Sequence, residues 1–159
     1  MKLEFGTEIL IPDSIEPYIA YKALRVSNMT LKSPSRLFVW PARERAEAKC
    51  YRGMLREGEG HLIAAKPCSC GIYAVPYEER YKLRGYFQRY HVVVRVAMWG
   101  RITIGQTGAR AQYAYPQEIV AWTCSTQRAR KIAELYGMGI VMSNPGREWL
   151  KVQQEEAAA

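Results

Sequence analysis

Three of the four cysteines, Cys50, Cys68 and Cys70, fall close to His61, one of only two histidines in the chain. Thiolate sulfur and imidazole nitrogen are favoured zinc ligands, and four of them close a tetrahedral structural site. The spacing Cys50-x10-His61-x6-Cys68-x-Cys70 is not that of a standard zinc finger, and Cys-x-Cys is tighter than the usual gap. The turn "KPCSCG" has the chemistry to compensate: Pro67 fixes one backbone angle and Gly71 permits an unusual one, so both sulfurs can aim at one point. Structural zinc held by Cys50, His61, Cys68 and Cys70 is the expected cofactor. Two other readings use the same residues. They can be small apolar side chains buried in a core, or a reactive thiol centre. Cys124 stands apart, just before a helix, and reads as core.

Catalytic signatures are sparse. A catalytic zinc keeps an open position and usually recruits a carboxylate. Glu57 and Glu59 lie near His61, but in a Gly-rich loop that suits solvated charges. The H-x-E and C-x-x-C spacing of nucleobase deaminases is absent. No Gly-x-Ser-x-Gly elbow occurs, and "GQTGAR" lacks the ending of a phosphate-binding P-loop. Cys70 with His61 or His91 could form a nucleophile–base dyad, but nothing in the spacing demands it. A small hydrolase or transferase built on the Cys/His cluster is thus a third reading, with no catalytic residue assigned.

The charge pattern carries a second kind of chemistry. The chain has 159 residues and a formal net charge of +8, which favours acidic partners. Cations and aromatics interleave from Tyr73 to Tyr115. Arginines hold phosphates and aromatic faces stack bases. The expected nucleic-acid contacts are Tyr73, Arg84, Arg89, Arg95, Trp99, Arg101, Arg110 and Tyr113. Trp99 and Tyr113, joined by Tyr73, would flank the mouth of a barrel and form a cage for a flipped or modified base. The competing reading makes the aromatics core and the arginines ordinary solvated charges.

These residues need elements to hold them. "YIAYKALRV" reads as a strand, followed by a turn at "SNM" and a short strand at "RLFVW". Pro41 suits a helix start, and "ARERAEAKCYRGML" is rich in helix formers. "VPYEERYKLRGYFQRY" suggests a short helix ending near Gly85. "HVVVRVAMWGRITIG" is the clearest strand: Val92, Val94, Val96 and Met98 alternate with Val93, Arg95 and Ala97. Gly100 interrupts it, as at a bulge. "RAQYAYP" returns beside it. "STQRARKIAELYGM" reads as a helix with Ser125 as N-cap, Ile132, Leu135 and Tyr136 on one face, and Gly137 as C-cap. "IVMS" suggests a last strand and "REWLKVQQEEAAA" a terminal helix. The regular alternation of a parallel βαβ array is missing. The expected fold is α+β: a small, strongly curved sheet or PUA-like barrel with packed helices. One domain spans 1–150, and a frayed tail covers 151–159.

The motifs "FVWP", "AKC", "H-x5-P-C-x-CGIYA", "VAMWGRI", "GARAQYAYP" and "ARKIAELYGM" occur here in one order. As a set they resemble a family of small proteins found in actinobacteria and their phages. The likeness covers roughly residues 20–142. It implies that Cys50, His61, Cys68 and Cys70 act together. The chain departs from the family pattern at "ITIGQTGARA", where members often carry a His-Glu-Arg-Gly turn. The strand pair followed by Tyr-Pro also looks like the barrel edge of PUA-like domains, a group that includes readers of RNA and of modified bases.

No stretch approaches the roughly 18–20 apolar residues of a membrane span, and Met1 to Leu10 lacks a signal-peptide apolar region. A cytoplasmic protein without a membrane partner is expected, with reduced or metal-bound thiols. The leading expectation is a nucleic-acid or modified-base binding protein with a zinc-stabilised Cys/His knot. The runner-up is a phage-type accessory protein that binds a host or defence protein.

Overall fold

A computed structural model describes residues 6–13, 15–34, 38–50, 63–64 and 70–151. Its centre is the hairpin of β7 (His91–Ile104) and β8 (Ala109–Trp122), paired antiparallel from Val92↔Trp122 to Ile104↔Ala109. The β-branched run that opens β7 suits a pleated surface. Fourteen residues of straight strand would span about 46 Å, so the hairpin has to bend to enclose a core. It does so at register shifts between Val93 and Val94, Arg95 and Val96, and Trp99 and Ile102. Gly100, at φ +76°, sits in the last of these, as its place in the sequence predicts.

The other strands pair along the two edges of this hairpin. β2 (Tyr18–Ser27) pairs with the first half of β7, and β1 (Thr7–Ile11) with the second half. β3 (Thr30–Lys32) and β4 (Val39–Trp40) extend the sheet beyond β2. Asn28 and Met29, both at positive φ, form the two-residue turn between β2 and β3, the conformation that matches strand twist. On the far edge of β8 lie β5 (Ala46–Glu47) and β6 (Ile72–Ala74), both antiparallel, and β9 (Gly139–Ile140), which is parallel.

This architecture corrects the expected α+β class. The described residues form one open, mixed nine-stranded sheet, accompanied by a single α-helix, α1 (Thr126–Tyr136), and two 3-10 helices, Tyr77–Gly85 and Gly146–Leu150. Among the described residues the sheet does not close into a barrel. Tyr21 and Val75 exchange two backbone hydrogen bonds, but this clasp between β2 and the end of β6 does not continue as a ladder. The helix expected after Pro41 is also corrected over its described part. Ala46 and Ala48 are buried while Glu47 and Lys49 are exposed, a period of two that places β5 against β8. Arg43, at φ 59°, breaks any helical path.

Both faces of the sheet are covered in part. On the inner face Leu24, Val92, Val94, Val96 and Met98 pack with Ile132, Ala133 and Tyr136 of α1. Ser125 Oγ accepts the Arg128 amide at 3.2 Å, and Gly137 at φ 66° ends the helix. Leu135, expected on the buried face, is 47% exposed; Ala129 and Ala133 take its place. The Tyr136 hydroxyl donates to Trp40 O at 2.8 Å and accepts Leu31 N–H at 2.9 Å, tying α1 to β3 and β4. On the outer face Val93, Ala121 and Ala23 pack under Leu83 and Leu150 of the two 3-10 helices and under Phe87, which follows the first of them. Arg80 joins those helices, donating to the carbonyls of Trp149 at 2.8 Å, Lys151 at 3.0 Å and Tyr77 at 3.1 Å.

Candidate nucleic-acid interface

The 3-10 helices cover only one end of the outer face. Beyond them the pairing register sets the side chains in rows. Tyr21, Arg95 and Glu118 form the first row across β2, β7 and β8. Ile19, Ala97 and Tyr115 form the second. Trp99 and Tyr113 form the third, with Glu47 of β5 beyond them.

Each row has a distinct local cause. Tyr21 leans on Trp149 and Tyr77, with ring centroids at 5.0 and 5.9 Å, and marks the rim of the covered region. Burial pushes the Tyr21 phenol above its ordinary pKa, and the Arg95 guanidinium partly offsets this. Ala97 is small and buried, so the larger side chains on either side can lie flat over it. Trp99 and Tyr113 are neighbours with ring centroids 5.9 Å apart and planes at 35°. Arg45 places its guanidinium carbon 4.1 Å from the Tyr113 ring centre. Gly100 permits this packing: a Cβ there would stand 2.8 Å from Tyr113 Cδ2 and 2.9 Å from Gln112 Oε1. Gln112 Nε2 donates to the Tyr113 hydroxyl at 3.1 Å, which fixes the ring further.

Trp99 Nε1 and Arg95 Nε are buried donors with no acceptor among the described residues. A buried donor left unpaired costs about 1–3 kcal/mol. On the same face the tilted Trp99 and Tyr113 rings and the Arg45 guanidinium stacked on Tyr113 make a surface suited to flat, anionic ligands.

Of the expected nucleic-acid residues, the structure brings together Arg95, Trp99 and Tyr113. Arg110 is turned inward, where its guanidinium donates to Cys70 O at 2.7 Å. Arg101 is paired with Glu8 of β1. Tyr73 lies on β6, 48% exposed, away from the Trp99 row. Arg84 is exposed on the Tyr77–Gly85 helix, and Arg89 stands at the opposite end of β7 beside Tyr90. Arg45 and Tyr115 are missing from the expected set. Tyr115 was legible, since it stands two residues from Tyr113 on one strand and so shares its face. Arg45 was hidden by the helical reading of its segment.

The zinc centre is a correction. Among the described residues no group of three or more His, Cys, Asp or Glu could hold a metal ion. Cys70 is buried, and its sulfur accepts the Ala64 amide at 3.4 Å, so the thiol is engaged in the fold. Cys50 is half-buried, and His61 and Cys68 lie outside the described residues. Cys124 packs half-buried against the inner core, as read from the sequence. Burial raises its thiol pKa, the opposite of an activated nucleophile.

No family model, curated protein or solved structure matches the chain. None of the helices among the described residues is long and apolar enough to cross a membrane.

Proposed function

We propose that the protein binds single-stranded nucleic acid on the outer face of its sheet, beyond the end that the two 3-10 helices cover. The observation that carries this reading is the third row: Trp99 beside Tyr113, with Arg45 stacked on Tyr113 at 4.1 Å and Arg95 on the same face. Unstacked bases lie on aromatic rings with about 1–3 kcal/mol per base, and guanidinium groups meet the phosphates between them. A face of this kind takes one or two splayed bases, as sheet-based RNA readers do, and does not require a duplex groove.

The test is a titration of labelled single-stranded RNA and DNA at several salt concentrations. Affinity should fall with a log–log slope of about −0.7 per phosphate contact. Trp99→Ala should weaken binding roughly tenfold, matching the loss of one stacked base. Absence of binding at low salt, or affinity untouched by a Trp99→Ala/Tyr113→Ala double variant, overturns the reading.

A further inference from the structure

At the far end of β7 from Trp99, two guanidinium groups converge on one exposed ring. Arg89 Cζ lies 4.8 Å and Arg128 Cζ 5.6 Å from the Tyr90 ring centre. All three residues are exposed. Neither arginine has a carboxylate partner among the described residues, where the ion pairs are Lys82–Glu79, Arg101–Glu8 and Lys151–Glu148. Arg128 also stands in the first turn of α1, where the helix dipole opposes a cation. Arg25, the register partner of His91, adds a third exposed positive charge to the same end of the sheet.

The backbone beneath this group is held firmly. Tyr90 has φ 61°, a conformation that persists only where its surroundings over-determine it. Here Tyr90 O accepts Val26 N–H at 2.8 Å. His91 Nδ1 contacts Arg89 O at 2.9 Å, and since a carbonyl only accepts, that nitrogen carries the proton. Thr123 Oγ1 donates to Gln88 O at 2.5 Å and accepts His91 N–H at 2.9 Å. Thr123 thus fastens the backbone of the Arg89–Tyr90 turn to the segment that opens α1.

We infer that the Arg89–Tyr90–Arg128 cluster is a phosphate clamp that grips the backbone of the same nucleic-acid strand whose bases stack on Trp99 and Tyr113. The inference rests on the proposed binding function. Two guanidinium groups gathered over one ring, without acidic partners among the described residues, form a site for an anion, and the phosphodiester is the anion that this ligand supplies. The clamp lies about 30 Å from Trp99 along the line of β7, past the 3-10 helices that cover this end of the outer face, so only a strand long enough to pass over them and reach both ends engages it.

The experiment compares oligonucleotides of roughly 4 and roughly 16 nucleotides, the span of site sizes in small single-strand binders. The wild-type chain and an Arg89→Gln/Arg128→Gln variant are titrated across salt, with melting temperature as the control for folding. The variant should bind the short oligomer as the wild type does. For the long oligomer its log–log salt slope should be shallower by about 1.4, the loss of two contacts. An unchanged slope with the long oligomer, while Trp99→Ala still weakens binding, overturns the clamp alone. Failure of the wild type to bind either oligomer overturns the underlying function and the clamp with it.

Discussion

Lys22 Nζ donates to Tyr73 O at 2.7 Å, a carbonyl left beyond the Tyr21–Val75 clasp where β2 and β6 separate. The side chain points to the inner face with Leu24 and Ala20, and burial lowers its pKa to about 8. The neutral amine keeps the hydrogen bond and avoids the desolvation of the charge. Between about pH 8 and the ordinary lysine range the unfolded chain therefore holds more protons than the folded one, and stability rises with pH. Across that window the melting temperature of the wild type should climb relative to Lys22→Met; Tyr18 and Tyr21, whose phenols titrate higher, are common to both proteins and cancel. A constant difference would show that the amine stays charged in the fold. Arg110 gives the converse test. Its buried guanidinium caps Cys70 O, so Arg110→Gln should cost about 1.5–3 kcal/mol, the value of a hydrogen bond to a charged group, and leave the salt slope of binding unchanged. Arg95→Gln should instead reduce that slope by about 0.7. In the sequence Arg95, Arg101 and Arg110 look equivalent. What separates them is one partner each, Glu8 for Arg101 and Cys70 O for Arg110, supplied by strands distant in the chain.

Among the elements, Gly100 joins fold to site. Its positive φ bends β7, and its missing side chain leaves room for Tyr113. Gly100→Ala should cost about 1–2 kcal/mol for the left-handed backbone alone. It should also lower oligonucleotide affinity, because Tyr113 must move out of its row; denaturant unfolding and the binding titration measure the two effects separately. Loss of stability with unchanged affinity would mean that Tyr113 reaches the ligand without this packing. The glycine's role was legible, since a glycine inside an alternating strand marks a bulge. So were β2, β7, the start of β8, and α1 with both caps, because periodicity and capping residues act locally there. The Pro41–Cys50 segment was not. Its alanines and charges favour a helix by propensity, yet Ala46 and Ala48 are buried against β8 and Ala48 N–H bonds to Gln112 O at 2.9 Å. Propensity differences of a few tenths of a kcal/mol per residue yield to a partner strand that a single-sequence pattern does not reveal.

For the whole molecule, the decisive fact is that β7 belongs to two cores at once. Val92 and Val94 pack in the inner cluster and Val93 in the outer one. The uninterrupted valine run was the visible sign of burial on both faces, but nothing in it said that 3-10 helices would supply the outer cover. Releasing that cover exposes Val93 and Ala121 and loosens the strands that support the inner cluster. Phe87, 1% exposed, is the largest fully buried side chain in the outer cluster, so Phe87→Ala should cost about 3–5 kcal/mol while unfolding remains a single transition. Tryptophan fluorescence and far-UV circular dichroism provide the check, since Trp149 sits on the outer side and Trp40 and Trp122 on the inner. Coincident curves from both probes establish one cooperative unit. An earlier fluorescence transition would instead make the 3-10 helices a layer that detaches while the sheet persists. The same variant bears on the nucleic-acid clamp, because Gln88 and Arg89 follow Phe87 directly and Thr123 anchors Gln88 O. If the outer core sets the position of the clamp, Phe87→Ala weakens binding of the long oligonucleotide more than of the short one; equal weakening would show that the clamp is positioned by Thr123 and His91 alone.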